Sequence, residues 1–160
     1  MTRVGVFSDS HGDSEALDAL LERMGRVDAV CFLGDVARDA DHLAGRLAQM
    51  ANRPPLYAVR GNNDFACLLP LDRLVELDGV RVYMTHGHRT AGLMGLVYRA
   101  REHGAQVALF GHTHTALCVE EQGVLLLNPG SAGNYCRGGR ARASLLTIEQ
   151  GRCRAEDVLL

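Results

Sequence analysis

Five times within its first 115 residues this chain runs through a short apolar stretch and then turns abruptly to Asp, Asn or His. The stretches read "VFSDSHGD", "CFLGDVARD", "AVRGNNDF", "YMTHGHR" and "LFGHTHT". The steps from Asp9 to Asp35, Asn62, His86 and His112 are 26, 27, 24 and 26 residues, about one β-α repeat each. A strand followed by a helix brings the chain back to the same sheet edge, so residues at this interval recur at one strand end. Ligands of open α/β sheets bind at that C-terminal edge. The spacing predicts an α/β fold whose strand ends converge on one site.

Strand signals fall at 4–8, 29–34, 55–60, 80–86 and 106–111. Helix signals fall at 14–24, capped by Asp13 or Ser14, at 39–50, and at 92–103 ahead of Gly104. After residue 115 four strand-like runs follow with tight turns and no helix, which reads as a β-meander. Together these predict a layered sandwich of mixed sheets. The glycine-rich stretch 128–140 is a candidate functional loop. No linker or repeat divides the 160 residues, so a single domain over 1–160 is expected.

Composition narrows the chemistry. All 17 basic residues are arginines, which removes Schiff-base and P-loop lysine chemistry. A net charge of -2 and 5% aromatics give little support to extended nucleic-acid binding. Five cysteines without CxxC spacing predict neither a disulfide framework nor a thiolate zinc knot. A strand-like run starting two residues from Met1 leaves no room for a signal peptide, no run is long enough to span a bilayer, and a cytoplasmic protein without a membrane partner is expected.

The recurring polar residues are borderline metal ligands. Asp, Asn and His without cysteine suit Mn, Ni, Co, Fe or Zn better than Ca or Mg. If the segments stay extended, the i, i+2 spacing lets Asp9 and His11 chelate one ion and His112 and His114 reach two neighbouring ones. There are more ligands than one tetrahedral ion needs, so two ions are expected.

"DSH", "GD", "GNND", "THGH" and "GHTH", in this order, resemble the blocks of the calcineurin-like metallophosphoesterases. The length and the endings "NPGS" and "RASLLTIE" resemble the small cap-less phosphodiesterases of bacteria and archaea. The resemblance implies a four-layer αββα sandwich. It implies one ion on Asp9, His11 and His114, a second on Asn62, His86 and His112, and Asp35 bridging both. It implies that Asp64 orients the site from outside, so that Asp35, Asn62, Asp64 and His86 are the catalytic candidates. The implied reaction is hydrolysis of a small phosphodiester or nucleotide by in-line attack of a metal-bridging hydroxide, with manganese the first choice of ion.

One position departs from that family. Many members carry histidine where this chain has Asn63, and an amide does not donate a proton at neutral pH. Asn63, His88 and Arg137 are candidate substrate contacts; Arg140 and Arg142 are further candidates for a phosphate clamp. The retromer scaffold subunit shares the subfamily's fold, so the alternative function is a metal-binding interaction scaffold. A homo-oligomer stays open.

Overall fold

A computed structural model describes residues 1–134 and 139–160. Ten strands and three helices occur among them, in the order β1 (Thr2–Phe7), α1 (Ser14–Met24), β2 (Ala29–Phe32), α2 (Ala37–Gln49), β3 (Leu56–Ala58), β4 (Asp72–Leu77), β5 (Val80–Thr85), α3 (Gly92–Glu102), β6 (Val107–Leu109), β7 (Leu117–Glu121), β8 (Val124–Asn128), β9 (Arg142–Glu149) and β10 (Arg152–Leu159). One five-stranded sheet runs β10-β9-β1-β2-β3 and the other β4-β5-β6-β8-β7. Both are mixed: β1, β2 and β3 are parallel, as are β5, β6 and β8, and antiparallel strands complete each sheet.

Three apolar interfaces make the four layers. Leu17, Leu20 and Leu21 of α1 and Leu43 and Leu47 of α2 pack on Phe7, Val30 and Phe32 of the first sheet. Val4, Val6 and Cys31 face Val82, Met84, Val107 and Leu109 between the sheets. Leu96, Val97 and Ala100 of α3 cover Tyr83, Ala108 and Leu126. Strands β1 and β2 are shielded on both faces, which explains their continuous apolar runs.

Two expectations need correction. The last four strands are not one meander: β7–β8 is a hairpin in the second sheet and β9–β10 a hairpin in the first. The chain leaves the second sheet at Asn128 and re-enters the first at Arg142. Strand β4 was not foreseen; its apolar positions alternate with charged ones, and it lies at a sheet edge. The helix expected at 39–50 begins at Ala37, because its first N–H is accepted by Asp64 Oδ1 at 2.7 Å, a cap 27 residues away in sequence.

Helix α1 has the expected bounds, with Asp13 accepting the Ala16 N–H as N-cap. His103 ends α3 with its Nδ1 on the Arg99 carbonyl. No helix among the described residues is long and apolar enough to cross a membrane.

Candidate metal centre

The two sheets present their parallel strands with C-terminal ends together. Asp9 follows β1, Asp35 follows β2, Asn62 follows β3, His86 follows β5, and His112 and His114 follow β6. The residues do converge, but not by extended alternation. Asp9, His11, Asp35, His112 and His114 have φ of 52, 49, 50, 68 and 59°, in the left-handed region. The chain turns at these five positions, which brings their side chains inward. Such strain in non-glycine residues persists only where the surroundings over-determine it, and it clusters at functional sites.

The donor atoms fall into two groups. In one, His11 Nε2 lies 3.3 Å from His114 Nε2, which lies 3.2 Å from Asp9 Oδ1. In the other, Asn62 Oδ1 lies 3.0 Å from His86 Nε2 and 3.1 Å from His112 Nδ1. Asp35 Oδ2 stands between them, 3.5 Å from His86 Nε2 and 4.0 Å from His11 Nε2. Asp9 also reaches across, its Oδ1 3.8 Å from His86 Nε2. Two compact trios able to hold an ion are Asp9, His11, His114 and Asp9, Asp35, His86.

Both tests of fit favour a metal. Donors sharing one ion at the usual ~2.0–2.2 Å stand about 3–3.5 Å apart; His114 lies at 3.2–3.3 Å from Asp9 and His11, and Asn62 at 3.0–3.1 Å from His86 and His112, while His11 Nε2 and Asp9 Oδ1 are 4.0 Å apart. Among the described residues Asp9 Oδ1 is buried without a hydrogen-bond donor, its nearest polar neighbour being His114 Nε2 at 3.2 Å, although the carboxylate is fully enclosed. A buried carboxylate oxygen without a donor is costly unless a cation meets it.

Hydrogen bonds behind the donors fix their directions. Buried His86 donates from Nδ1 to the Leu33 carbonyl at 2.6 Å, across the two sheets, which leaves the Nε2 lone pair for the centre. Asp9 Oδ2 accepts from the Ser8 hydroxyl at 2.6 Å and the His112 N–H at 2.9 Å. Asp64 Oδ2 accepts from the N–H groups of Asp35 and Gly61 at 3.0 and 2.7 Å, so this acid orients the site from outside without entering it. Gly61 is obligatory: a β-carbon there would collide with the Asp35 carboxylate.

Charge follows the same geometry. Burial would raise the Asp35 carboxyl, but hydrogen bonds from His86 and Asn63 and the charge of His86 hold it well below the usual carboxylate range. Burial would lower His86, but the Asp35 hydrogen bond and the charges of Asp9 and Asp35 outweigh it and raise its pKa. Burial and the neighbouring His86 and His112 lower that of His88.

All seven expected ligands therefore meet. Of the expected substrate contacts, Asn63 is bonded to Asp35, and His88 lies with its ring 5.4 Å from His86 and 6.2 Å from His112. Arg137 lies outside the described residues. Arg142 is not a phosphate clamp: its guanidinium pairs with Asp157 on β10 at 2.5 Å.

Sequence reasoning missed Ser8, Asp39 and Asn128. Asn128 donates to the Gly111 carbonyl and the Thr113 hydroxyl, bracing the turn that bears His112 and His114. The fragment "NPGS" signalled that position without its role. Asp39 resembled any acid on a solvated helix face, and nothing in the sequence marked it.

Comparison with known proteins identifies the family and the fold. The calcineurin-like phosphoesterase superfamily domain matches residues 2–151. Probable metallophosphoesterase YsnB of Bacillus subtilis is 35% identical over 130 residues, 79% of this chain and 72% of that protein. A phosphodiesterase of Methanocaldococcus jannaschii is 34% identical over 157 residues, 85% of this chain and 87% of its own. The crystal structure of a predicted phosphoesterase from Streptococcus pneumoniae superposes with a TM-score of 0.77 at 28% identity, covering 99% of this chain and 89% of that one.

Proposed function

This chain belongs to the calcineurin-like phosphoesterase superfamily and is a metal-dependent phosphoesterase, and from that premise we propose that it hydrolyses small phosphodiesters, nucleotide derivatives among them, using two divalent transition-metal ions. The observation that supports two ions is the placing of Asp35 Oδ2 between two groups of donors, one gathered around His114 and the other around Asn62 at 3.0–3.3 Å. In this reading Asp9, His11 and His114 hold one ion, Asn62, His86 and His112 the other, and Asp35 faces both. Manganese is the expected ion, with Ni, Co, Fe and Zn chemically suited to the same donors.

When bound, such ions supply an ionisable water near neutral pH and neutralise charge on the phosphate. The chain's own residues prepare the site for that chemistry. Asn63 donates to Asp35 from both its backbone and side-chain nitrogens, which favours the ionised carboxylate, so Asp35 offers a fixed negative charge between the two groups. The Leu33 carbonyl holds His86 in the tautomer a ligand needs. His88 and Arg137 are the proposed contacts to the phosphate oxygens, while Asn63, bonded to Asp35, acts through that acid. The free cysteines Cys31, Cys67, Cys118 and Cys153 are in keeping with a cytoplasmic setting.

The test is turnover of bis(4-nitrophenyl) phosphate and of the matching monoester by chelator-treated protein, with and without added Mn. Metal-dependent cleavage favouring the diester is expected. Full turnover in metal-free protein would sink the reading. Two bound ions without turnover of a diester, a monoester or a cyclic nucleotide would favour the scaffold instead.

A further inference from the structure

Asp39 stands in the first turn of α2, four residues after Asp35, with only 3% of its surface exposed. Its Oδ2 accepts the Ser10 hydroxyl at 2.5 Å and the Gly12 N–H at 2.8 Å. Ser10 and Gly12 flank His11, so a single carboxylate oxygen grips the turn on both sides of that histidine. The turn needs holding: φ is 52° at Asp9, 49° at His11 and 86° at Gly12.

The arrangement repeats what Asp64 does at the other ligand turn, where one buried oxygen takes the N–H groups of Asp35 and Gly61. Helix capping does not explain Asp39, since the first N–H of α2 is taken by Asp64. A buried carboxylate is costly unless donors meet it, and both of these donors belong to the His11 turn. Because α2 grows out of the Asp35 turn, Asp39 also ties that turn to the one bearing Asp9 and His11.

We propose that Asp39 is a positioning residue of the metal centre: through Ser10 and Gly12 it holds His11 toward Asp9 and His114 and so sets the affinity of the ion they bind. This rests on the reading of His11 as a ligand. Residues that orient metal ligands in this way typically contribute roughly 10–100-fold in metal affinity.

Calorimetric titration of the chelator-treated full chain with Mn tests this in a double-mutant cycle. Asp39→Asn should weaken Mn binding by roughly 10–100-fold with His11 present, and by less than about threefold in a His11→Ala background. Ser10→Ala, which removes one hydroxyl and leaves the buried charge, should give a smaller loss that also vanishes without His11. It serves as the deciding variant if Asp39→Asn fails to fold. Unchanged Mn affinity in Asp39→Asn, or an equal loss with and without His11, overturns the proposal. The readout does not involve turnover. A wild type that cleaves no phosphodiester, with the cycle as expected, refutes the proposed substrate and leaves the role of Asp39 standing. Turnover by the wild type with a flat cycle refutes Asp39 alone.

Discussion

Asn63 donates to Asp35 twice, from its side-chain nitrogen to Oδ2 at 2.7 Å and from its backbone N–H to Oδ1 at 3.0 Å. This amide, which is no general acid, is thus engaged with the acid between the two donor groups. Hydrogen bonds to a charged group contribute about 1.5–3 kcal/mol, so Asn63→Ala should lower kcat/KM by roughly 10–100-fold. Acting through Asp35, the loss should be equal for nitrophenyl and alkyl diesters. Asn63→His should instead favour alkyl leaving groups selectively, since a positioned acid matters only where the leaving oxygen needs a proton. Equal responses of both diester types to Asn63→His would show that position 63 acts on metal geometry, not by proton donation.

Asp35→Asn should cost more activity than His112→Ala. The first removes the charge facing both donor groups, and the second one donor from one group. Metal content measured after gel filtration should fall toward zero for Asp35→Asn and toward one ion for His112→Ala. Two retained ions and near-normal rates in Asp35→Asn would show that Asp9, whose Oδ1 also reaches His86, is the bridge.

The sequence carried the fold and the convergence of the polar residues because both are periodic. A β-α repeat returns Asp9, Asp35, Asn62, His86 and His112 to one edge, and that interval survives in one dimension. The way the ligands are aimed was not legible. Left-handed φ at Asp9, His11, Asp35, His112 and His114 is only weakly favoured by Asp and His themselves, so local propensity does not mark these turns. Asp39 and Asn128 escaped because their partners lie 27 and 17 residues away. Strand β4 escaped because an edge strand with charged outer positions resembles a loop.

The metal-free protein and its metal affinity should respond oppositely to pH. The folded pKa of Asp35 lies below its unfolded value, so its contribution to stability is whole above about pH 4 and is lost as pH falls toward the folded pKa. The folded pKa of His86 lies above its unfolded value, so its contribution is whole below about pH 6.5 and is lost as pH rises through the raised pKa. On these two groups, melting of chelated protein should be highest between about pH 4 and 6.5. Mn must displace the proton on His86 Nε2, so its affinity should climb with pH, by up to about tenfold per unit, until that pKa is passed. An Mn affinity flat from about pH 6 to 8 would remove His86 from the ligand set.

Gly61→Ala and Gly45→Ala should have opposite effects. At Gly61 a β-carbon would collide with the Asp35 carboxylate and stand 2.7 Å from the Asp35 backbone nitrogen. The turn must then recoil, and it carries Asn62 and Asn63 away from His86 and Asp35 and loosens the Gly61 N–H from Asp64. Overpacking of this kind costs about 1–3 kcal/mol, or a fall of very roughly 2–12 °C in Tm for a chain of this size. Metal binding should fail with it. At Gly45, exposed within α2, a β-carbon meets nothing within 4 Å, and replacing a helical glycine by alanine should raise stability by roughly 0.5–1 kcal/mol. Thermal melts of both variants, with chelator and with Mn, separate the two effects. If Gly61→Ala bound Mn and melted as the wild type does, the close approach of the Asp35 and Gly61 turns would not be what holds the site together.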